Sequence, residues 1–172
     1  MDLEARIAAL EGRVRYLEDQ EKIRECLAEY GFNADLGRSD NYVAGWTPDG
    51  VYDLDSMYLD GEAQLREMIA SPNGFHKTQV ENRSQHTVLN LYIRIEGDSA
   101  WAEGYSVVFV RQDGNIKAIL AGYNHWTFER AGSRWLMKRR TRREIGGGQW
   151  GGEVIKQYLD EDRSPRNQSD RI

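Results

Sequence analysis

Histidines and acidic residues are the first groups to consider, because the sequence is poor in other reactive side chains. The chain of 172 residues holds three histidines and one cysteine, Cys26. A single cysteine cannot form an internal disulfide, and no two histidines stand three or four residues apart, as a helical metal site requires. The sequence also has no glycine-rich phosphate-binding loop. Chemistry must therefore come from histidines, carboxylates, tyrosines and arginines, and we expect neither a metal nor another cofactor.

Asp35 and His86 are the candidate acid–base pair. Asp35 ends a predicted helix, where the helix dipole disfavours a carboxylate, and His86 begins a predicted strand. If the two side chains meet, the aspartate fixes the imidazole tautomer and stabilises the imidazolium that forms when the histidine accepts a proton. The plain alternatives are a solvated aspartate in a frayed turn and a half-exposed strand histidine.

Tyrosines and arginines supply further candidate groups. Two or three tyrosines around a cavity would donate hydrogen bonds to a substrate oxygen, and a buried Asn124 would need partners of its own. The basic run at 138–143 is either a solvated strand face or a strand that points one or two arginines into a pocket. His76, in a predicted loop, and His125 are weaker candidates. The tyrosines in predicted helices and strands are Tyr30, Tyr52, Tyr58, Tyr92, Tyr105 and Tyr123.

Composition narrows the class of protein. The chain is 40% hydrophobic and 10% aromatic, which is enough for a packed core. A net charge of −5 and a pI near 5.3 argue against general nucleic-acid binding. The first 20 residues contain no unbroken apolar stretch, so we expect neither a signal peptide nor a membrane span. The single cysteine agrees with a reducing cytoplasm.

Helices are predicted in the first half of the chain. Five apolar residues spaced alternately by four and three form a heptad seam, which is too short for a free-standing coiled coil and is expected to dock on its own domain or on a neighbouring subunit. The stripe breaks at 18–22 and restarts at 23–34, which predicts a second helix capped by Gly37. A short helix at 41–46, a turn at 47–50, a strand at 51–54 and a helix at 62–69 follow. The seam residues are Leu3, Ile7, Leu10, Val14 and Leu17.

Strands are predicted in the second half. Alternating apolar and polar residues indicate a meander of four antiparallel strands, at 85–95, 100–110, 116–130 and 134–145, with Gly122 as a candidate bulge. Helices followed by such a meander are the α+β pattern. We expect one domain over residues 1–148, with 1–20 as a helical extension, and a partly disordered tail over 149–172.

Four stretches within about residues 20–143 carry a family resemblance. They are EKIRECLAEYGFNADLGRSDNYVAGWTPDGVYDL, RSQHTVLNLYI, AWAEGY and NHWTFERAGSRWLMKRR. In these stretches the chain resembles the SnoaL-like family of the nuclear-transport-factor-2-like superfamily, and its opening segment resembles the N-terminal helix of bile-acid 7α-dehydratases. The resemblance implies a cone-shaped, cystatin-like fold in which a curved antiparallel sheet wraps around N-terminal helices and encloses a pocket. Relatives include scytalone dehydratase, a dehydrochlorinase and polyketide cyclases, several of which use no cofactor and form homotrimers.

The resemblance also implies roles for individual residues. His86 matches the strand histidine that abstracts a proton, and Asp35 matches its helix-end partner. Tyr30 matches a tyrosine five residues before that aspartate and is expected to be catalytic, with Tyr52 as the alternative, by polarising a carbonyl or protonating a leaving hydroxyl. Asn124 matches a pocket residue of scytalone dehydratase, and Arg140, with Arg139 as the alternative, matches the pocket arginine of the dehydrochlorinase.

Three positions depart from the pattern of the dehydratases. Leu54 stands where those enzymes have a tyrosine, Ser106 where scytalone dehydratase has a second histidine, and Val110 near the acidic residue of the bile-acid enzymes. Tyr52 lies two residues before Leu54 on the same strand face. We expect Tyr52 and Tyr105 to join Asn124 and Arg140 in binding substrate.

Two functions from different classes follow. The first is a cofactor-independent lyase of the dehydratase type, which removes a proton next to the carbonyl of a hydrophobic, polycyclic hydroxy-ketone, steroid- or polyketide-like. A polyketide cyclase or an isomerase would use the same pair. The alternative is a non-catalytic small-molecule-binding or assembly protein of the same fold. The expected partners are a hydrophobic small molecule and further copies of the chain, with a trimer favoured and a dimer as the alternative, and neither nucleic acid nor membrane.

Overall fold

The computed structural model describes residues 2–146 and, beyond them, only Lys156. The predicted tail at 149–172 therefore lies outside the described residues apart from Lys156. In chain order the elements are α1 (Leu3–Asp35), α2 (Ser39–Val43), β1 (Trp46–Leu54), β2 (Met57–Asp60), α3 (Glu62–Ala70), a π-helix (His76–Val80), β3 (Ser84–Glu96), β4 (Ser99–Gln112), β5 (Asn115–Ala131) and β6 (Arg134–Glu144).

The six strands form one sheet in the order β2-β1-β6-β5-β4-β3. Strands β3 to β6 make the predicted antiparallel meander, and the α+β class is confirmed. However, β1 pairs in parallel with β6, so the sheet is mixed where the expected one was antiparallel. A parallel pair needs a long connection between its strands, and the rest of the sheet provides it here.

Bulges curve the sheet around the helices. The pairing shifts by one residue within β3, within β5 and within β6, and each extra residue bends its strand and increases the twist. The bulge in β5 lies at Leu120 and Ala121, beside Gly122 rather than at it. Gly122 is required for another reason, because a Cβ there would lie 2.4 Å from the carbonyl oxygen of Arg143 on β6.

Helix α1 is continuous over 33 residues, so the prediction of two helices was wrong. At about 100° per residue, the N-terminal seam and the stripe that begins at Ile23 lie about 160° apart around the helix. The break at 18–22 is therefore a change of face and not the end of a helix, and this segment contains neither glycine nor proline. Helix α1 ends at Asp35, and Gly37 follows as the predicted cap.

The connection between α1 and the meander differs from its prediction. Helix α2 ends at Val43, and Trp46 belongs to β1, where it is buried and pairs with Met137 of β6. Strand β1 runs through the predicted turn at 47–50 with irregular pairing up to Val51. The edge strand β2 and the π-helix around His76 were not predicted.

The core lies between the C-terminal half of α1 and the inner face of the sheet. Ile23 and Leu27 of α1 pack in one cluster with Trp126, Phe128 and Met137 of the sheet. Within residues 2–146, no helix combines the length and the apolar character that a membrane crossing requires.

Candidate active site

Asp35 and His86 meet at the end of α1. The Nδ1 atom of His86 lies 2.6 Å from Oδ1 of Asp35, and the backbone N–H of His86 donates to Oδ2 at 3.0 Å. The hydroxyl of Ser84 donates to Oδ1 as well. Three donors thus hold one carboxylate, and the structure brings together the pair on which the chemistry was expected to depend.

The electrostatics of Asp35 favour its charged form. Burial would raise the pKa of Asp35, but the hydrogen bonds from the His86 ring, from Ser84 and from the His86 backbone outweigh it, and the pKa is lower than usual. An ionised Asp35 holds the proton of His86 on Nδ1, which leaves Nε2 as the acceptor. No described residue forms a hydrogen bond with Nε2, so this nitrogen is available to a substrate.

Two backbone features position the pair. A Cβ on Gly31 would lie 3.2 Å from Cβ of His86, so glycine lets α1 approach β3 closely at this level. The backbone N–H of Asn82, in the segment before β3, donates to the carbonyl oxygen of Asp35 at 2.7 Å. The last turn of α1 is therefore attached to the strand that carries His86.

His86 forms part of the wall of a cavity of about 420 Å³. This volume falls within the range of roughly 300–1,000 Å³ that is typical of small-molecule sites. The wall is mainly apolar, with a small number of polar groups at the His86 and Arg140 sides. Its residues are Arg24, Leu27, Ala28, Tyr30, Gly31, Phe32, Gln85, His86, Thr87, Val88, Leu91, Ser106, Trp126 and Arg140.

Arg140 forms the polar part of the opposite wall. Its Nε donates to Oδ1 of Asn124 at 2.9 Å, and its Nη2 donates to the hydroxyl of Ser106 at 3.2 Å. Its Nη1 donates to the hydroxyl of Tyr30, whose ring lies edge-on to the His86 ring with centroids 6.1 Å apart. Tyr30 therefore connects the arginine to the Asp35–His86 pair.

The charge of Arg140 is buried without a counter-ion among the described residues. The residue is 3% exposed, and its guanidinium carbon lies 4.9 Å from the ring centroid of Tyr52 and 5.7 Å from that of Trp126. Burial raises the pKa of Tyr42 and of Tyr52, so these nearby hydroxyls stay neutral. A guanidinium has five N–H donors, and the described residues use three. The site can therefore stabilise an oxygen that gains negative charge.

The remaining predicted residues divide into two groups. Asn124 and Tyr52 are buried and contact Arg140, but neither belongs to the cavity wall, so they position the arginine. Tyr105, which was expected to bind substrate, lies away from the cavity wall. It is 41% exposed, and its side chain lies on the face of β4 opposite to Ser106, because neighbouring residues of a strand alternate faces.

Two further residues lie in this region, Ser84, which was missed, and His76, which was ranked as a weaker candidate. Ser84 lies two residues before His86, on the same strand face, and this spacing was a signal that the sequence contained. His76 lies buried near the pair, and burial together with the charge of His86 lowers its pKa. Nothing in the sequence around His76 distinguished the π-helix that carries it from a loop.

A second carboxylate–histidine pair lies on the outer face of the sheet. Nδ1 of His125 is 3.2 Å from Oε1 of Glu103, and both residues point away from α1 because their strand neighbours, Ala102 and Asn124, are buried beneath it. The two pairs have similar chemistry and different surroundings, which makes His125 a natural control. Among the described residues, no group of three or more metal-ligating side chains was found.

Comparison with known proteins places this arrangement in a family. The fold and the cavity are those of the nuclear-transport-factor-2-like class. An NTF2-like protein with a cystatin-like fold from Novosphingobium aromaticivorans is 31% identical, with a TM-score of 0.76 over 86% of this chain and 93% of that chain. The SnoaL-like domain profile matches residues 15–141. The chain therefore belongs to the SnoaL-like family, and the resemblance seen in the sequence is confirmed.

Two further solved structures from Novosphingobium aromaticivorans share the fold. A putative aromatic ring hydroxylase is 21% identical, with a TM-score of 0.64 over 75% of this chain and 90% of that chain. A putative scytalone dehydratase is 16% identical, with a TM-score of 0.64 over 76% of this chain and 86% of that chain. Among curated proteins, no match to this sequence was found.

Proposed function

We propose that the protein is a cofactor-independent lyase of the dehydratase type. Its substrate would be a hydrophobic hydroxy-ketone of several rings, and the reaction would begin with removal of a proton next to the carbonyl. The observation that carries the proposal is the 2.6 Å contact between His86 and Asp35 at the wall of a mainly apolar cavity. A purely binding protein would have no need of an ionised carboxylate that orients a histidine whose second nitrogen bonds to no described residue.

The first step uses the two sides of the cavity together. Nε2 of His86 accepts the proton from the carbon next to the carbonyl, and Asp35 stabilises the imidazolium that forms. A general base of this kind contributes roughly 10²–10⁴-fold to a rate. As the C–H bond breaks, its electron pair moves into the carbonyl and creates an enolate oxygen. The hydroxyl of Tyr30, which accepts a hydrogen bond from Arg140, can donate a hydrogen bond to that oxygen while keeping its proton.

The second step expels the hydroxyl group. The enolate re-forms the carbonyl while a carbon–carbon double bond forms and the bond to the hydroxyl breaks. The imidazolium of His86 donates its proton to the departing oxygen, so water leaves and His86 returns to its neutral form. The balance needs no oxidant or reductant. The buried charge of Arg140 supports the reaction because an enolate carries negative charge that the hydroxy-ketone lacks.

Family membership is consistent with this proposal. SnoaL-like proteins include dehydratases, cyclases and ring-hydroxylase subunits. A ring-closing cyclase and an isomerase would share the first step, since each begins with the same proton removal. The position of Ser106, beside Arg140 in place of a second histidine, favours the reaction in which one histidine both accepts and returns the proton.

The test separates proton removal from the loss of water. A panel of cyclic ketones and β-hydroxy-ketones with one to four rings is incubated in D₂O with the protein, and exchange of the hydrogens next to the carbonyl is followed by NMR. Loss of water is followed by mass spectrometry. We expect exchange with at least one ketone and loss of water from the matching hydroxy-ketone.

Variants show which histidine is responsible. His86→Gln should abolish both signals, and His125→Gln, which alters the outer pair, should leave them unchanged. Binding of a ketone by the wild type without exchange would contradict the proposal and favour a non-catalytic binding protein. Full activity of His86→Gln would contradict the assignment of the base.

A further inference from the structure

The heptad seam of α1 is exposed along its whole length. Its five apolar side chains are between 46% and 67% exposed, so the expectation that they dock on their own domain does not hold for the described residues. An apolar stripe of this kind on a charged helix is typical of a surface that another helix covers. The seam residues are Leu3, Ile7, Leu10, Val14 and Leu17.

The attachment of α1 to its own sheet keeps the seam accessible. Asp19 is buried against the sheet, where Arg130 donates to its two carboxylate oxygens at 2.9 and 2.8 Å and Nε1 of Trp135 donates at 3.2 Å. At about 100° per residue, Asp19 lies about 160° from the centre of the seam. The body of the protein is therefore on one side of α1 and the seam is on the other, which leaves room for a partner helix.

We propose that residues 3–20 of α1 pair in parallel with the same segment of a second copy of the chain. The two segments would form a short two-stranded coiled coil, with the two sheets on its outer sides. The occupant of the seam is thus this same protein, and the interface is independent of the cavity and of the proposed reaction.

The residue types within the seam favour a coiled coil of two helices. With the spacing of four and three, Ile7 and Val14 take the a positions of the heptad, and the leucines take the d positions. β-Branched residues at a combined with leucine at d favour parallel dimers over trimers and tetramers. The d positions are Leu3, Leu10 and Leu17.

The charges that flank the seam select the parallel orientation. Arg6 and Arg13 occupy the g positions, and the e positions are all acidic. In a parallel dimer each g residue faces the e residue five positions further along the partner, so Arg6 faces Glu11 of the partner subunit and Arg13 faces Glu18 of the partner subunit. In an antiparallel dimer g would face g, which sets arginine against arginine. The e positions are Glu4, Glu11 and Glu18.

The structure also explains how so short a seam can form a coiled coil. An isolated helix of this length is marginal in water because its first turn is costly to form. Here the segment continues a helix whose C-terminal half is already packed in the core, so nucleation is provided. The pairing has a defined end, since Glu21 and Arg24 take the next two seam positions and place charges there.

The first experiment measures the mass of the full chain in solution. Sedimentation equilibrium of the wild type should give twice the 19.8 kDa of one chain. Leu10→Glu places a charge in the middle of the seam and should weaken the association at least tenfold. Ala8→Glu places the same charge two residues away on the other side of the helix and should leave the association unchanged. Thermal unfolding of a dilute sample is the control for folding, and both variants should show a cooperative transition.

The second experiment tests the orientation. Leu3→Cys should form an intersubunit disulfide in a glutathione redox buffer, because equivalent d positions face each other in a parallel pair. Ala5→Cys, on the opposite side of α1, should not. Burial raises the pKa of the Cys26 thiol to about 12, so the native cysteine stays protonated and unreactive.

Four results would overturn the proposal. They are a monomer at tens of micromolar protein, a mass of three chains, an association that Leu10→Glu leaves unchanged, and equal cross-linking of Leu3→Cys and Ala5→Cys. Loss of the dimer in Leu10→Glu with its folding intact, together with cross-linking of Leu3→Cys alone, would establish the parallel pair.

Discussion

The two halves of α1 have the same secondary structure and different surroundings. In the C-terminal half, the apolar stripe from Ile23 to Ala34 is buried against the sheet and ends at Asp35, beside His86. In the N-terminal half, the apolar seam points away from the sheet and is exposed. Asp19 lies at the junction, where its salt bridge with Arg130 attaches the helix to β5.

This difference shows that periodicity identifies a helix but does not say what its apolar face contacts. Both halves have apolar residues at helical spacing, and only the second half meets its own core. One helix thus places the Asp35 carboxylate against His86 at one end and an exposed apolar seam at the other. The comparison leads to four predictions, which begin at the end of α1 that carries Asp35.

The largest effect is expected at Asp35. Asp35→Asn keeps the shape of the side chain and removes the charge that stabilises an imidazolium on His86, so the rate of exchange or dehydration should fall by roughly 10²–10⁴-fold. Steady-state kinetics on the substrate found by screening measures the change, with Asp2→Asn at the exposed start of the helix as control. A loss smaller than about tenfold would remove Asp35 from the proposed mechanism.

A matched pair of isoleucines tests the packing difference directly. Ile23→Ala removes a side chain that is 0% exposed, and it should lower the free energy of unfolding by about 2–5 kcal/mol. Ile7→Ala, in the seam, should change it by less than about 0.5 kcal/mol. Urea unfolding at a protein concentration at which sedimentation shows the monomer gives both values. Similar losses for the two variants would show that the N-terminal half packs on the domain after all.

Removing the salt bridge at the junction should have an intermediate effect on the free energy of unfolding. Asp19→Asn removes the charge that receives two hydrogen bonds from Arg130, and hydrogen bonds to charged groups are worth about 1.5–3 kcal/mol. Urea unfolding should show a loss in that range. Glu11→Gln, in the exposed half, has only a distant contact with Arg15 and should be neutral. A neutral Asp19→Asn would mean that the core alone holds α1 to the sheet.

The smallest expected effect is the pH dependence of the stability that Asp35 contributes. The pKa of Asp35 is lower in the folded protein than its usual value of about 3.9, so the charged carboxylate adds stability that is fully present above about pH 5. This contribution is lost as the pH falls through the lowered pKa. The difference in free energy of unfolding between the wild type and Asp35→Asn should therefore shrink as the pH falls below about 4. A difference as large at about pH 2.5 as at about pH 5 would contradict the lowered pKa.

Much of the fold and part of the site were predictable from local patterns. The meander followed from period-two alternation between residues 85 and 145, since a strand with one buried face repeats every two residues. Asp35 and His86 were found as a pair by their resemblance to a known family. The position of Tyr105 was not predictable, because a residue type near the site says nothing about which face of the strand it occupies. That face depends on how β4 pairs with β3 and β5.

The basic residues of β6 also show that the sequence does not say which face of a strand is buried. The run at 138–143 was compatible with a solvated face and with arginines in a pocket, and both are found within it. Arg140 is buried beside the cavity, while Arg139 and Arg143 bind Asp53 on the other face. Alternation along the strand requires such a division but does not say which set is inside, because that depends on pairing with β5 and β1.

By itself, the sequence determined the helical and strand periods, the α+β class, the heptad with its flanking charges and the residue types available for chemistry. These are local properties, set by spacing along one chain. The tertiary structure alone decided that Asp35 touches His86, that Arg140 is buried without a counter-ion among the described residues, and that the seam faces away from the sheet. The physical reason is that each of these depends on contacts between residues far apart in sequence, and on the side of α1 and of each strand that the curved sheet covers.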